Sequence, residues 1–107
     1  MGTLRPIPRR MLDKSVTVAE PLADGAYGNE RELAPVRFVR KHEVVADAHR
    51  ADAITGTVYV DAVMTAGAYE IPAGSRVAID GVSMLAAAVR RYEGARGRVH
   101  HWEIDVR

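Results

Sequence analysis

The chain contains no cysteine, which excludes disulfides, thiolate catalysis and cysteine-ligated zinc. Aromatic residues are scarce at 6%, with a single Trp and a single Phe, so the core has to be assembled from Val, Ile, Leu, Ala and Met. Neither sign of charge dominates. Fifteen Lys and Arg face fourteen Asp and Glu for a formal net charge of +1, which predicts no strong general pull toward nucleic acid or an anionic membrane. No stretch approaches the ~18 apolar residues of a membrane span. The opening Met1-Gly2-Thr3-Leu4-Arg5-Pro6 lacks an apolar signal core, so a soluble chain made inside the cell is expected, with no membrane partner. Internal repeats and low-complexity tracts are also missing.

What is present suffices for one domain spanning residues 1–107: the length is near the commonest domain size, and 48% of residues are apolar. The final segment is the most informative. Val99-His100-His101-Trp102-Glu103-Ile104-Asp105-Val106-Arg107 alternates like a strand. Period 2 sends Val99, His101, Glu103 and Asp105 to one face and His100, Trp102, Ile104 and Val106 to the other, the expected core face. A strand at a chain end is expected to be paired, since loose termini fray. The two histidines are expected on opposite faces, which argues against a His–His metal or catalytic pair.

Turn residues divide the rest. Residues 1–12 read as an extended arm, with Pro6 and Pro8 fixing φ, ending in a short turn. Residues 15–19 are the first expected strand, 20–32 a long loop carrying Pro21, Asp24-Gly25 and Gly28-Asn29, and 36–45 the second strand, anchored by Phe38. The Ala-rich stretch 46–53 is a linking loop or one helical turn. A third strand follows over 56–63 and a loop over 65–75. Residues 76–79 form a short strand, Asp80-Gly81 matches a two-residue type I′ hairpin, and 82–93 is the return strand. Leu85, Ala88, Val89 and Tyr92 also fit a helix face, but the hairpin signal favours strand. About six strands with turn signals between them imply a mainly β chain, a small antiparallel barrel or sandwich with long loops. Phe38, Val60, Leu85, Trp102 and Ile104 are the candidate core.

Candidate chemistry is thin. His42-Glu43 with His49 superficially suggests a zincin, but that site needs histidines four apart on one helical face, and this spacing differs. His101, near Arg98 and Glu103 in sequence, is read as a polar strand residue that pairs across the sheet. Glu43, Asp47, Asp52, Asp61, Glu93 and Glu103 form no spaced constellation with a nucleophile or a Gly-rich phosphate cradle. Asp61 is expected to face solvent or an interface. No enzyme activity, metal or cofactor is expected. Arg90, Arg91, Arg96 and Arg98 flank one turn, where phosphate contacts would be salt-sensitive. The candidate interface residues are Arg96 and Arg98 there, with Tyr27, Gly28, Asn29 and Tyr69 in loops, Tyr being enriched in binding patches.

The order of features resembles a known family. Pro6-x-Pro8 with Leu12, Ser15-Val16-Thr17, Tyr27-Gly28, Val36-Arg37-Phe38, Tyr59-Val60-Asp61, Pro72-x-Gly74, Val77 with Asp80-Gly81, and Val99-His100-His101-Trp102-Glu103-Ile104 look like the small minor capsid proteins of tailed phages and prophages, themselves similar to head-closure and stopper proteins. The resemblance covers nearly the whole chain, and its most specific element is the His-His-Trp-Glu ending. Ser83-Met84-Leu85-Ala86-Ala87-Ala88 departs from it, standing where the family tends to carry Lys-Tyr before an apolar pair. The resemblance implies a β-barrel at the head–tail junction of the virion, made in the host cytoplasm. It would bind portal and adaptor proteins as a ring homo-oligomer, close the channel with possible non-specific contact to DNA, and support tail attachment. Such a ring needs two different patches per subunit, for which the N-terminal arm and residues 20–32 are candidates. Two alternatives stand beside this reading: an oligonucleotide-binding-type barrel acting as a nucleic-acid or accessory module, and a tail-completion protein.

Overall fold

Alternating apolar residues build every strand. In the computed structural model, which describes residues 7–41 and 54–107, the strands are β1 (Lys14–Pro21), β2 (Tyr27–Arg40), β3 (Gly56–Asp61), β4 (Arg76–Ile79), β5 (Val82–Glu93) and β6 (Val99–Val106). All pairings are antiparallel. The order β1-β2-β3-β6-β5-β4 closes into a barrel because β1 pairs with both β2 and β4. Closure satisfies the backbone groups that an open sheet leaves bare at its edges.

Every strand sends small aliphatic side chains inward. Val16, Val18, Leu33, Val36, Val58, Val60, Val77, Ile79, Met84, Ala86, Trp102, Ile104 and Val106 are all buried. β-Branched residues suit this interior, being stiff at χ1 and well matched to a pleated surface. β3 and β4 lie three places apart on the ring, so the connection over residues 62–75 crosses one end of the barrel and drops Ile71, 1% exposed, into the core. Two backbone devices are residue-specific. Asp80 and Gly81 both take positive φ, 51° and 80°, as a type I′ turn requires. A Cβ at Gly56 would sit 2.6 Å from the Val39 carbonyl oxygen and 2.7 Å from the Phe38 ring, so only glycine lets β2 and β3 approach there.

Several expectations need correction. Residues 20–32 are not a long loop: β1 runs on to Pro21 and β2 begins at Tyr27, leaving a tight turn closed by Leu22 N–H to the Ala26 carbonyl at 2.8 Å. The polar composition that suggested a loop belongs to a hairpin whose pairing (Ala19 with Glu30, Thr17 with Glu32) is supplied by β1 rather than by apolar alternation. The described part of the second strand ends at Arg40, and the expected strand residues 42–45 fall within residues 42–53, which, with His42, His49 and the Ala-rich stretch, lie outside the described residues, as do residues 1–6 of the arm. Leu85 is not core. It is 38% exposed, because the alternation of β5 turns Met84 and Ala86 inward and Leu85 out. Residues 82–93 are strand throughout, so the helix-face alternative does not apply. Phe38 packs against the core but is only partly buried, with the Arg40 guanidinium 5.4 Å from its ring.

Trp102 is 8% exposed and its indole N–H donates to Glu70 Oε1 at 3.0 Å. Trp102→Ala is expected to destabilise the fold by about 3–5 kcal/mol, measured by denaturant unfolding, with Leu85→Ala far milder. Equal losses for the two would contradict this division of the strand faces.

Candidate functional site

Directly opposed residues of antiparallel strands share a face, so the register of the barrel writes polar rows across its outside. One row runs Arg37, Tyr59, Glu103, Arg90 over β2, β3, β6 and β5. The row beside it runs Val39, Thr57, Asp105, Ala88, and a third runs Asp61, His101, Tyr92. Arg90 organises the middle. Its guanidinium donates to Asp105 at 2.6 and 2.9 Å and to Glu103 at 3.4 Å, and Thr57 Oγ1 donates to Asp105 at 2.9 Å. The hydrogen bonds from Arg90 hold the Asp105 carboxyl below the usual carboxylate range, helped by Thr57 and opposed by burial. Arg90 is raised in turn, chiefly by its bonds to Asp105. Burial, and then the Glu103 charge, push the Tyr59 phenol up.

The two histidines meet. His100 Nδ1 lies 2.7 Å from His101 Nδ1, and His101 Nε2 lies 3.0 Å from Glu103 Oε2. The expectation that alternation keeps them on opposite faces fails because the β5–β6 register shifts between Tyr92 and Glu93, which pair with His101 and Val99. His100 is the extra residue of a bulge, and bulges re-aim side chains. The two contacts run in one direction when His100 Nδ1–H donates to His101 Nδ1 and His101 Nε2–H donates to Glu103, a tautomer assignment set by the network. The His101 ring stacks on Tyr92 at 4.7 Å and 6°, and lies 6.3 Å from Tyr59. Among the described residues no group of three or more His, Asp or Glu is placed to hold a metal ion.

Asp61 corrects another expectation: it is 1% exposed rather than facing solvent or a partner. Oδ1 accepts from the backbone N–H of Val63 and Met64 at 2.9 Å each, and Oδ2 accepts from the Ile7 N–H at 3.2 Å. Thr65 completes the corner, accepting from the Asp61 N–H at 3.0 Å and donating to the Pro35 carbonyl at 2.7 Å. The carboxylate ties down the turn that begins the end-crossing connection, and it pins the N-terminal arm. The arm in turn walls a groove of about 450 Å³ lined by Ile7, Pro8, Met11, Arg37, Val39 and Tyr59. A second hollow of about 310 Å³ shares Val39 and Tyr59 and adds Arg40, Lys41, Ile54, Thr57 and Asp105.

The expected interface residues fall in different places. Tyr27, Gly28 and Asn29 begin β2 instead of lying in a loop, and Arg76 sits 5.0 Å over the Tyr27 ring. Tyr69 lies in the 62–75 connection with Arg31 4.6 Å over its ring. Its hydroxyl is buried with no hydrogen-bond partner in good geometry, and burial plus the neighbouring Glu20 carboxylate push it up to about 12. Arg96 and Arg98 are exposed at the β5–β6 turn. Arg90 and Arg91 do not add free charge there, since Arg91 pairs with Glu93 at 3.2 Å and Glu70 at 3.7 Å. Arg37, Tyr59, Arg90 and Asp105 were missed as a unit. The β6 alternation put His101, Glu103 and Asp105 on one face, but their cross-strand partners follow only from register.

Comparison of the chain with protein-family models, curated proteins and solved structures gives no match. The geometry must therefore speak for itself. It presents paired charges and stacked Tyr92 and His101 rings near a groove with apolar lining.

The Asp105 carboxyl releases its proton more readily folded than unfolded, so its pairing stabilises the fold above the ordinary carboxylate range, and this contribution is lost as pH falls through and below that range. Because the Arg90 side chain is 41% exposed, solvent screening limits the effect to about 1 kcal/mol. Arg90→Met is expected to lose that amount at pH 7 and to flatten the stability profile between pH 5 and 2. Parallel wild-type and variant profiles across that interval would refute the assignment.

Proposed function

We propose that this chain is a structural component of the head–tail junction of a tailed phage or prophage, a connector of the head-closure type that binds the portal and adaptor assembly and supports tail attachment without catalysis. The observation that carries the reading is the resemblance described above, together with the use this fold makes of its most specific element. The segment Val99–Val106 lies between β3 and β5, sends Trp102 and Ile104 into the core and, on its other face, builds the polar rows through His101, Glu103 and Asp105. A small closed barrel supports such a role physically. A rigid scaffold of this kind can hold side chains and a protruding hairpin in place for a partner. The β1–β2 hairpin suits this task, with Leu22 49% exposed at its tip.

One observation favours a second reading, an oligonucleotide-binding-type module. Tyr59, His101 and Tyr92 form an aromatic strip on the outer strands, and stacked aromatics are how such barrels hold bases. The carboxylates of Glu103 and Asp105 within the same rows weigh against it, since they repel phosphate. A tail-completion role is the same architecture placed one step further from the portal.

Affinity capture of the tagged chain from cells producing its phage, followed by mass spectrometry, tests the proposal. Portal, adaptor or tail-completion subunits are expected in the eluate. Replacing residues 22–26 with Asn-Gly is expected to leave the melting temperature within a few degrees of wild type and to abolish that capture. Recovery of nucleic acid with replication or repair proteins, and no neck subunit, would overturn the connector reading in favour of the binding module.

A further inference from the structure

Barrel closure covers β5 unequally. Up to Ala86 the strand has a neighbour on each side. Leu85 exchanges both backbone hydrogen bonds with Arg107, at 3.0 and 3.1 Å, while Ala86 turns the other way, donating to the Ser75 carbonyl and accepting from the Gly74 N–H at 2.8 Å each. The line of β4 stops there. Residues 72–75 form a turn closed by the Ser75 N–H on the Pro72 carbonyl at 3.2 Å, and Pro72 has no N–H with which to continue a ladder. β5 runs on to Glu93 with β6 beside it on one side. Its phase is set by a bulge: Ala86 pairs with Val106 and Ala88 with Asp105, so Ala87 is the extra residue. One inserted residue exchanges the two sides of an antiparallel strand. Ala88, Arg90 and Tyr92 therefore bond to β6, and Gly94, donating to the Arg98 carbonyl at 2.7 Å, keeps that phase. Val89, Arg91 and Glu93 turn their N–H and C=O groups to the opposite side, where none of the described residues bonds them. This bare edge is about 13 Å long at ~3.3 Å per residue.

The end of the edge is basic. Arg90 is committed to Asp105 and Glu103, and Arg91 to Glu93 and Glu70. Arg96 and Arg98, exposed on the turn that follows, pair with no carboxylate among the described residues. We infer that this edge accepts an extended acidic segment of another protein as an added strand, its backbone paired with Val89, Arg91 and Glu93 and its Asp or Glu residues set against Arg96 and Arg98. Bare N–H and C=O groups at strand spacing are complementary to another extended backbone, and the two unanswered guanidinium groups select acid at one end of it. Main-chain bonds supply the attraction, and the arginines fix register and direction. Neither observation draws on the connector reading, which stands or falls separately.

Amide exchange followed by NMR on the full chain is the first arm of the test. The Val89, Arg91 and Glu93 amides are expected to exchange roughly a hundredfold faster than those of Arg90 and Tyr92. Protection of the first set in the free chain, or protection that appears with rising protein concentration alone, would overturn the inference, the second by giving the edge to another copy. The probe for the second arm is the synthetic peptide acetyl-Thr-Val-Thr-Val-Glu-Glu-amide at ~1 mM, where weak contacts register. It is expected to slow exchange at Val89, Arg91 and Glu93 and to lose this effect when its Val nitrogens are methylated. The double substitution Arg96→Gln, Arg98→Gln is expected to weaken binding about fivefold, as two exposed ion pairs allow, and to leave melting near wild type. Arg91→Pro removes an outward N–H, which an edge position tolerates, so it is expected to fold and to lose the peptide, whereas Arg90→Pro breaks the β6 ladder and melts far lower. Equal melting of the two proline variants would refute the phase of the edge. No protection by the peptide, equal protection by its methylated form, or a short oligo-dT that shifts the Arg96 and Arg98 amides while the peptide does not, would each overturn the inference.

Discussion

The structure depends on the seam where β1 meets β4. Only Thr17 with Ala78, Val18 with Val77 and Ala19 with Arg76 pair across it, yet this short ladder turns a six-stranded sheet into a cylinder. Without it β4, four residues long, would be an edge, and the interior faces of Val18 and Val77 would meet water. Closure also sets the outer surface, because a barrel fixes which residues of β2, β3, β6 and β5 stand side by side. The Arg37–Tyr59–Glu103–Arg90 row and the Asp105 pairing are thus consequences of the seam as much as of their own side chains.

Period-2 reasoning reached most of the barrel. Residues 76–79 and 82–93 match the observed strands, Asp80-Gly81 is the turn its residues predict, and Trp102, Ile104 and Val60 are buried as expected. Reading failed where local pattern and tertiary pairing disagree. Glu30, Arg31 and Glu32 look like a loop, but pairing with Ala19, Val18 and Thr17 of β1 makes them strand. Leu85 was weighed by its size, whereas the phase of β5 decides its face. Asp61 was judged by its charge, although three backbone N–H groups in reach make burial favourable.

The site was less legible than the fold, and for one physical reason. Cross-strand neighbours are set by register between segments distant in sequence, and a single bulge changes them. The residue inserted at His100 brings two imidazoles within 2.7 Å where strict alternation would hold them apart. Nothing in the composition of the last strand announces such an insertion, because it arises from the mismatch with β5. The grooves beside the N-terminal arm were equally hidden, since they form only where Ile7 and Met11 lie across strands far away in sequence.

The double duty of Asp61 has a mechanical consequence. One carboxylate holds both the N-terminal arm, through Ile7, and the first turn of the segment spanning the barrel mouth, through Val63 and Met64. A tug on the arm is therefore not absorbed locally. It reaches the first turn of the mouth-spanning segment through a single side chain, so the arm acts as a tether on that segment.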